Sequence, residues 1–136
     1  VHLDTPQLRN MSLSGCRNLD SLQLSNSTLD LVNLYGCASL GEPPLHTLLA
    51  ASSTTIREVI LDGMDRISTL SFASPTLHKL SVKGCKGLGA LSLRTASGLR
   101  ALDVRGCVQL TAVTVDANCD IRSVNLMGKT TWRQAT

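Results

Sequence analysis

Aliphatic residues return along this chain at a nearly constant interval. From Leu99 to Leu110 the sequence reads Leu-x-x-Leu-x-Val-x-x-Cys-x-x-Leu, and the spacing recurs in Leu8–Leu19, Leu29–Leu40 and Leu77–Leu88. The first aliphatic residue of each unit is Leu8, Leu19, Leu29, Leu40, Ile56, Ile67, Leu77, Leu88, Leu99, Leu110 or Ile121. Successive anchors stand ten or eleven places apart, except for one longer step between Leu40 and Ile56. Trp132 stands one further step of eleven beyond Ile121, which predicts that it shares the position of Leu110. Two kinds of unit alternate. One ends in a Gly-Cys type of turn, as at Gly15-Cys16, Gly36-Cys37, Gly84-Cys85 and Gly106-Cys107; the other ends in small polar residues, as at Thr95-Ala96-Ser97. The structural repeat is therefore two units, roughly 21–22 residues, a period that marks a stacked repeat architecture.

The local chemistry predicts what each unit becomes. Leu102-Asp103-Val104 alternates apolar and polar, as a strand with one buried face must. Gly106 lets the chain turn, and Cys107 points back inward as a small hydrophobe. Val113-Thr114-Val115 then forms a strand on the opposite wall. No single coil is stable, because its flanks stay apolar until a neighbour stacks on them. The long step differs: Pro43 and Pro44 suit a helix start, and Leu45, Leu48 and Leu49 form an i, i+3, i+4 stripe. One short helix is predicted near 44–51, ended by Ser52–Thr55. The fold class is a solenoid, mainly β, with parallel strands on both walls and roughly 21–22-residue coils.

The iterated Leu-x-x-Leu-x-Leu-x-x-Cys-x-x-Leu pattern resembles the leucine-rich repeat of the cysteine-containing type. The Gly-Cys turns preceded by Ser, Lys or Arg, and the Ser74-Pro75-Thr76-Leu77 turn, are similar to repeats of plant and algal F-box leucine-rich-repeat proteins. The resemblance implies a non-enzymatic protein-interaction module, the substrate-recognition part of an F-box-type ubiquitin ligase adaptor. An architectural subunit buried in a large assembly is the alternative. The F-box helices themselves are absent from the chain, which begins at Val1 in mid-coil. Residues 1–136 are thus expected to be one repeat domain of about six coils, a fragment of a longer array.

Composition narrows the chemistry. Of 136 residues 43% are apolar but only 2% aromatic, so the core must be aliphatic. The net charge of +3 divides unevenly: residues 1–76 carry four Lys/Arg against seven Asp/Glu, and residues 77–136 carry nine against three. The basic half would suit an acidic partner. Nucleic acid is the lesser expectation there, since single-strand binding needs stacking platforms and the chain has one Phe, one Tyr and one Trp. No stretch is long and apolar enough to span a bilayer.

No catalytic set emerges, and no enzyme activity, cofactor or small-molecule substrate is expected. His2, His46 and His78 lie far apart, without a nucleophile partner. Gly128-Lys129-Thr130-Thr131 resembles the end of a phosphate loop, but Ser123 stands where that motif needs glycine. Cys16, Cys37, Cys85 and Cys107 share one repeat position and should stack as a ladder of reduced thiols in the core, the habit of a cytoplasmic or nuclear protein. They stand at least one full coil apart and hold no Cys-x-x-Cys pair, so no metal is expected. Cys119 is off the ladder and is the thiol expected to be exposed.

What remains is the outer face of the Gly-Cys strands. The residues expected to meet a protein partner there are Leu31, Asn33, Tyr35, Glu58, Ile60, Asp62, Lys79, Lys83, Asp103 and Arg105. Leu31, Tyr35 and Ile60 are not needed for solubility. Glu58 and Asp62 beside Lys79 and Lys83 form either a bipolar rim for a partner or simple cross-strand pairs.

Overall fold

The computed structural model describes residues 2–3, 7–24, 28–125 and 131–134. It is a parallel-strand solenoid with two walls. The front wall is one six-stranded sheet. Its members are β2 (Asn10–Ser12), β4 (Leu31–Asn33), β5 (Glu58–Ile60), β7 (Lys79–Ser81), β9 (Ala101–Asp103) and β11 (Ser123–Asn125), each paired with the next in register. Their starting positions advance by a nearly constant interval, lengthened only between β4 and β5. The back wall has two parts. A pair, β1 (His2–Leu3) and β3 (Gln23–Leu24), is separated by helix α1 (Glu42–Ala51) from a four-stranded sheet of β6 (Thr69–Ser71), β8 (Ala90–Leu93), β10 (Ala112–Val115) and β12 (Thr131–Gln134). The coil length and parallel pairing are compatible with a leucine-rich-repeat type of coil.

Alternation along each strand sets the walls. On β4 and β5 the middle residues, Val32 and Val59, are fully buried and their flanking residues are not. A coil such as Leu29, Val32, Leu34, Cys37 and Leu40 is buried at every inward position. Each such side chain contributes roughly 1.5–3 kcal/mol of gross transfer free energy. The core is one continuous cluster, with Phe72 inside it.

Between the walls the chain turns on glycine. Gly15, Gly36, Gly63, Gly84 and Gly106 all have φ between +68° and +81°, where a side chain is strained. Gly36 approaches Gly15, Gly63 approaches Gly36, and Gly106 approaches Gly84, where a Cβ on Gly106 would lie 3.2 Å from Gly84 N.

The following cysteine closes the end of the ladder. The Cys37 thiol donates to Leu13 O at 3.1 Å, Cys85 to Leu61 O at 3.0 Å, and Cys107 to Val82 O at 2.9 Å. Each bond reaches a carbonyl of the preceding coil, so Cys serves as a small hydrophobe that also donates. All three thiols are free and buried, and burial raises each above the ordinary thiol range.

Three expectations need correction. Cys16 is exposed rather than in the core ladder. It belongs to the β2 coil, which among the described residues has a front-wall strand neighbour on one side only. Cys119, expected outside, is 8% exposed and joins the core. An Asx turn, with Asn118 N–H donating to Asp116 Oδ1 at 2.7 Å, shifts this turn by one residue. Cys119 then fills the inward place that Ala96 holds one coil earlier, and its thiol too is raised by burial. Finally, Trp132 pairs with Val113, not with Leu110. The Gly128-Lys129-Thr130 segment lies outside the described residues.

Helix α1 takes the place of a back-wall strand, as its sequence predicts. It starts at Glu42, ahead of Pro43 and Pro44, whose missing N–H groups cost nothing in a first turn. Leu45, Leu48 and Leu49 are buried, and the helix ends at Ser52. Its presence leaves β6 without a strand on one side. Glu42 answers that edge: its Oε1 accepts from Ser68 N (2.6 Å), Thr69 N (2.8 Å) and Ser68 Oγ (2.9 Å). The Thr69 backbone bond, then those from Ser68, hold the Glu42 carboxyl below its ordinary value of 4.5. This stabilisation is therefore present above pH 4.5 and lost as pH falls through the lowered value. Replacing Glu42 by Gln is expected to cost about 0.5–1 kcal/mol at neutral pH, since the site is open to solvent and the gain is screened. Urea melts at pH 7 and pH 3 should show the difference shrinking at the lower pH.

Candidate functional site: the outer face of the front wall

In-register pairing arranges the outward side chains in columns across the front wall. Leu31 faces Glu58, Glu58 faces Lys79, and Lys79 faces Ala101. In the next column Asn33 faces Ile60, Ile60 faces Ser81, and Ser81 faces Asp103. Tyr35, Asp62, Lys83 and Arg105 follow two places further along their coils. All ten residues expected at a partner site thus belong to the front wall or to the residues just beyond its strands.

Their environments differ. Tyr35 is 54% exposed, and Lys79, Lys83 and Arg105 are also exposed. Leu31, Asn33, Glu58, Ile60 and Asp103 are half-buried. Asp62 is buried, contrary to the expectation of an exposed carboxylate. Its Oδ1 accepts from Ser81 Oγ at 2.6 Å and from Lys83 N at 2.9 Å, and Lys83 Nζ stands 3.8 Å from Oδ2. The reason lies just past β4, β7 and β9, where one backbone N–H finds a side-chain acceptor. In β4 and β9 the residue two places earlier supplies it: Asn33 Oδ1 accepts from Tyr35 N at 3.0 Å, and Asp103 Oδ1 from Arg105 N at 3.1 Å. In the β7 coil that place holds Ser81, and Asp62 from the preceding coil reaches across instead. Asp62 therefore braces two coils.

The charges are arranged in pairs. Lys79 Nζ lies 3.5 Å from Glu58 Oε1 across the β5–β7 pair. Arg105 holds Asp103 within one coil, with Nε 3.0 Å from Oδ1 and Nη2 2.7 Å from Oδ2. That side-chain bond holds the Asp103 carboxyl below its ordinary range. Three cations, Lys79, Lys83 and Arg105, and two carboxylates, Asp62 and Asp103, line a depression of about 310 Å³ beside Ile60. The cross-strand pairs weighed in the sequence do form. At its exposure the Glu58–Lys79 pair is worth little to stability.

A second concavity escaped the sequence. A groove of about 350 Å³ separates α1 from β6, lined by His46, Leu49, Ala50, Ser53, Ser71, Phe72 and Ala73. It exists because helices pack further from a sheet than strands pair within one. His46 Nε2 is buried there and finds no hydrogen-bond partner among the described residues. The interrupted repeat at Leu40–Ile56 was its only trace in the sequence.

Among the described residues no three His, Cys, Asp or Glu side chains group to hold a metal, and no helix is long and apolar enough to cross a membrane. No family model, curated protein or solved structure matches the chain.

Proposed function

We propose that this chain is a non-enzymatic protein-interaction module that engages a partner through the outer face of its front wall. The observation that supports it most is Tyr35. A large aromatic ring stands 54% exposed on the same face as half-buried Leu31 and Ile60, on the adjacent strands β4 and β5. Aromatic anchors beside aliphatic ones are the usual makings of a hot spot. The paired charges at Glu58–Lys79, Asp62–Lys83 and Asp103–Arg105 would form its polar rim, setting orientation more than affinity. By its sequence resemblance, the module is the substrate-recognition part of an F-box-type ubiquitin ligase adaptor in the cytoplasm or nucleus.

The test is capture of partners by the tagged chain, with cross-linking mass spectrometry to map contacts. Cross-links should fall on Lys79 and Lys83. Replacing Tyr35 and Ile60 together by Glu should cut capture at least roughly tenfold, as loss of a hot spot does, while the melting temperature stays within a few degrees. Cross-links confined to the end coils would instead mark an architectural subunit. Undiminished capture by the double variant would remove this face from consideration.

A further inference from the structure

We propose that Arg57, His78, Arg100 and Arg122 form a docking strip for an acidic, extended polypeptide segment of a partner protein. Each of these residues immediately precedes a front-wall strand, and backbone bonds tie them in single file. His78 N–H donates to Arg57 O, Arg100 N–H to His78 O and Arg122 N–H to Arg100 O, all at 2.8 Å. That chain of bonds sets their backbones at strand spacing, about 4.8 Å. Four basic side chains on four successive coils therefore line one lateral edge. Arg57, His78 and Arg122 are exposed and Arg100 is half-buried.

The strip differs from the front face in its charge balance. There, Lys79, Lys83 and Arg105 are each answered by a carboxylate. Among the described residues, neither Arg57 nor Arg100 has a carboxylate within ion-pair distance. Asp30 stands next in the same file, its backbone O accepting from Arg57 N–H at 2.8 Å, but its carboxylate lies 3.6 Å from Arg9; Asp120 lies 3.5 Å from Arg122, a member of the strip, in a pair exposed on both sides. His78 Nδ1–H donates to Thr76 O at 2.7 Å, which holds the ring at the edge. The strip thus presents two guanidinium groups, those of Arg57 and Arg100, that no carboxylate among the described residues answers, beside the solvent-exposed Arg122–Asp120 pair.

Geometry favours a polypeptide over a nucleic acid. Single-stranded nucleic acid gains much of its affinity by stacking bases on aromatic rings. Tyr35 lies on the front face and Phe72 is buried, so His78 is the only ring on this edge among the described residues. Same-side residues of an extended segment repeat about every 6.8 Å, within reach of guanidinium groups set about 4.8 Å apart on long side chains. Arginine's planar fork also matches a carboxylate bidentately.

The experiment measures fluorescence anisotropy of labelled oligoglutamate, a Gly-Ser peptide and oligothymidylate at low ionic strength. Oligoglutamate should bind, the Gly-Ser peptide should not, and the affinity should fall as salt is added. Replacing Arg57, Arg100 and Arg122 by Gln together should weaken oligoglutamate binding roughly tenfold or more with unchanged thermal unfolding. Should that variant unfold, Arg57→Gln alone should weaken it roughly threefold. The Tyr35→Glu, Ile60→Glu variant should bind as tightly as the parent, so this strip and the front face can fail independently. Absent oligoglutamate binding, affinity unchanged by the Arg variants, or tighter binding of oligothymidylate would each overturn the proposal.

Discussion

Replacing Leu80 by Ala is expected to lower the unfolding free energy by about 2–5 kcal/mol, the cost of a large-to-small change with incomplete collapse. Leu80 is 1% exposed at the centre of β7, in register with Val59 on one side and Leu102 on the other. The cavity therefore opens against two coils at once. Met11 offers the comparison. It is 4% exposed on β2, which among the described residues pairs in the sheet with β4 alone. Met11→Ala should cost less than Leu80→Ala, about 1–2 kcal/mol, because in a solenoid a coil is stabilised by its nearest neighbours. Urea denaturation checks both. Equal losses at the two positions would contradict nearest-neighbour stabilisation.

The second large effect is alkaline. Burial raises the Cys85 thiol from 9.0 to about 12, and it raises Cys37, Cys107 and Cys119 in the same direction. Above pH 9 the unfolded chain releases the Cys85 proton while the folded chain retains it. The unfolded state then binds fewer protons, so stability falls as pH rises. The contribution is whole below pH 9 and is lost as pH climbs through about 12. Each pH unit of that rise carries about 1.36 kcal/mol, so Cys85 accounts for roughly 2–4 kcal/mol. The thiolate would also be unable to donate to Leu61 O, the 3.0 Å bond that links its coil to the one before. Guanidinium unfolding at pH 8 and pH 11 should show the loss. Cys85→Ala should be weaker at pH 8 but lose less between the two conditions, which separates the thiol from lysine and tyrosine titration.

Several structural roles lay beyond the reading of single residues. Glu42 looks like an ordinary first-turn acid, yet it caps the β6 edge from a full coil away in sequence. Asp62 has the outward parity of a surface carboxylate, yet the short side chain of Ser81 leaves it the nearest acceptor for Lys83 N. Cys119 has the context of a surface turn, yet the Asx turn at Asp116 moves it one place inward. The edge formed by Arg57, His78, Arg100 and Arg122 involves four side chains, each one coil from the next, which only the coil register brings together.

Sequence alone determined which repeat-anchoring aliphatic side chains face in, where the glycine turns fall, and that one coil carries a helix. Those features depend on spacing within a single coil, where the strand and helix periods each leave a direct mark. Tertiary structure decided which polar groups are answered and which thiols are shielded, because those outcomes depend on the coil stacked above or below. Register between neighbours is set by the summed fit of many buried aliphatic side chains. A single turn one place longer, or a helix in place of a strand, changes the partner of every polar group beside it.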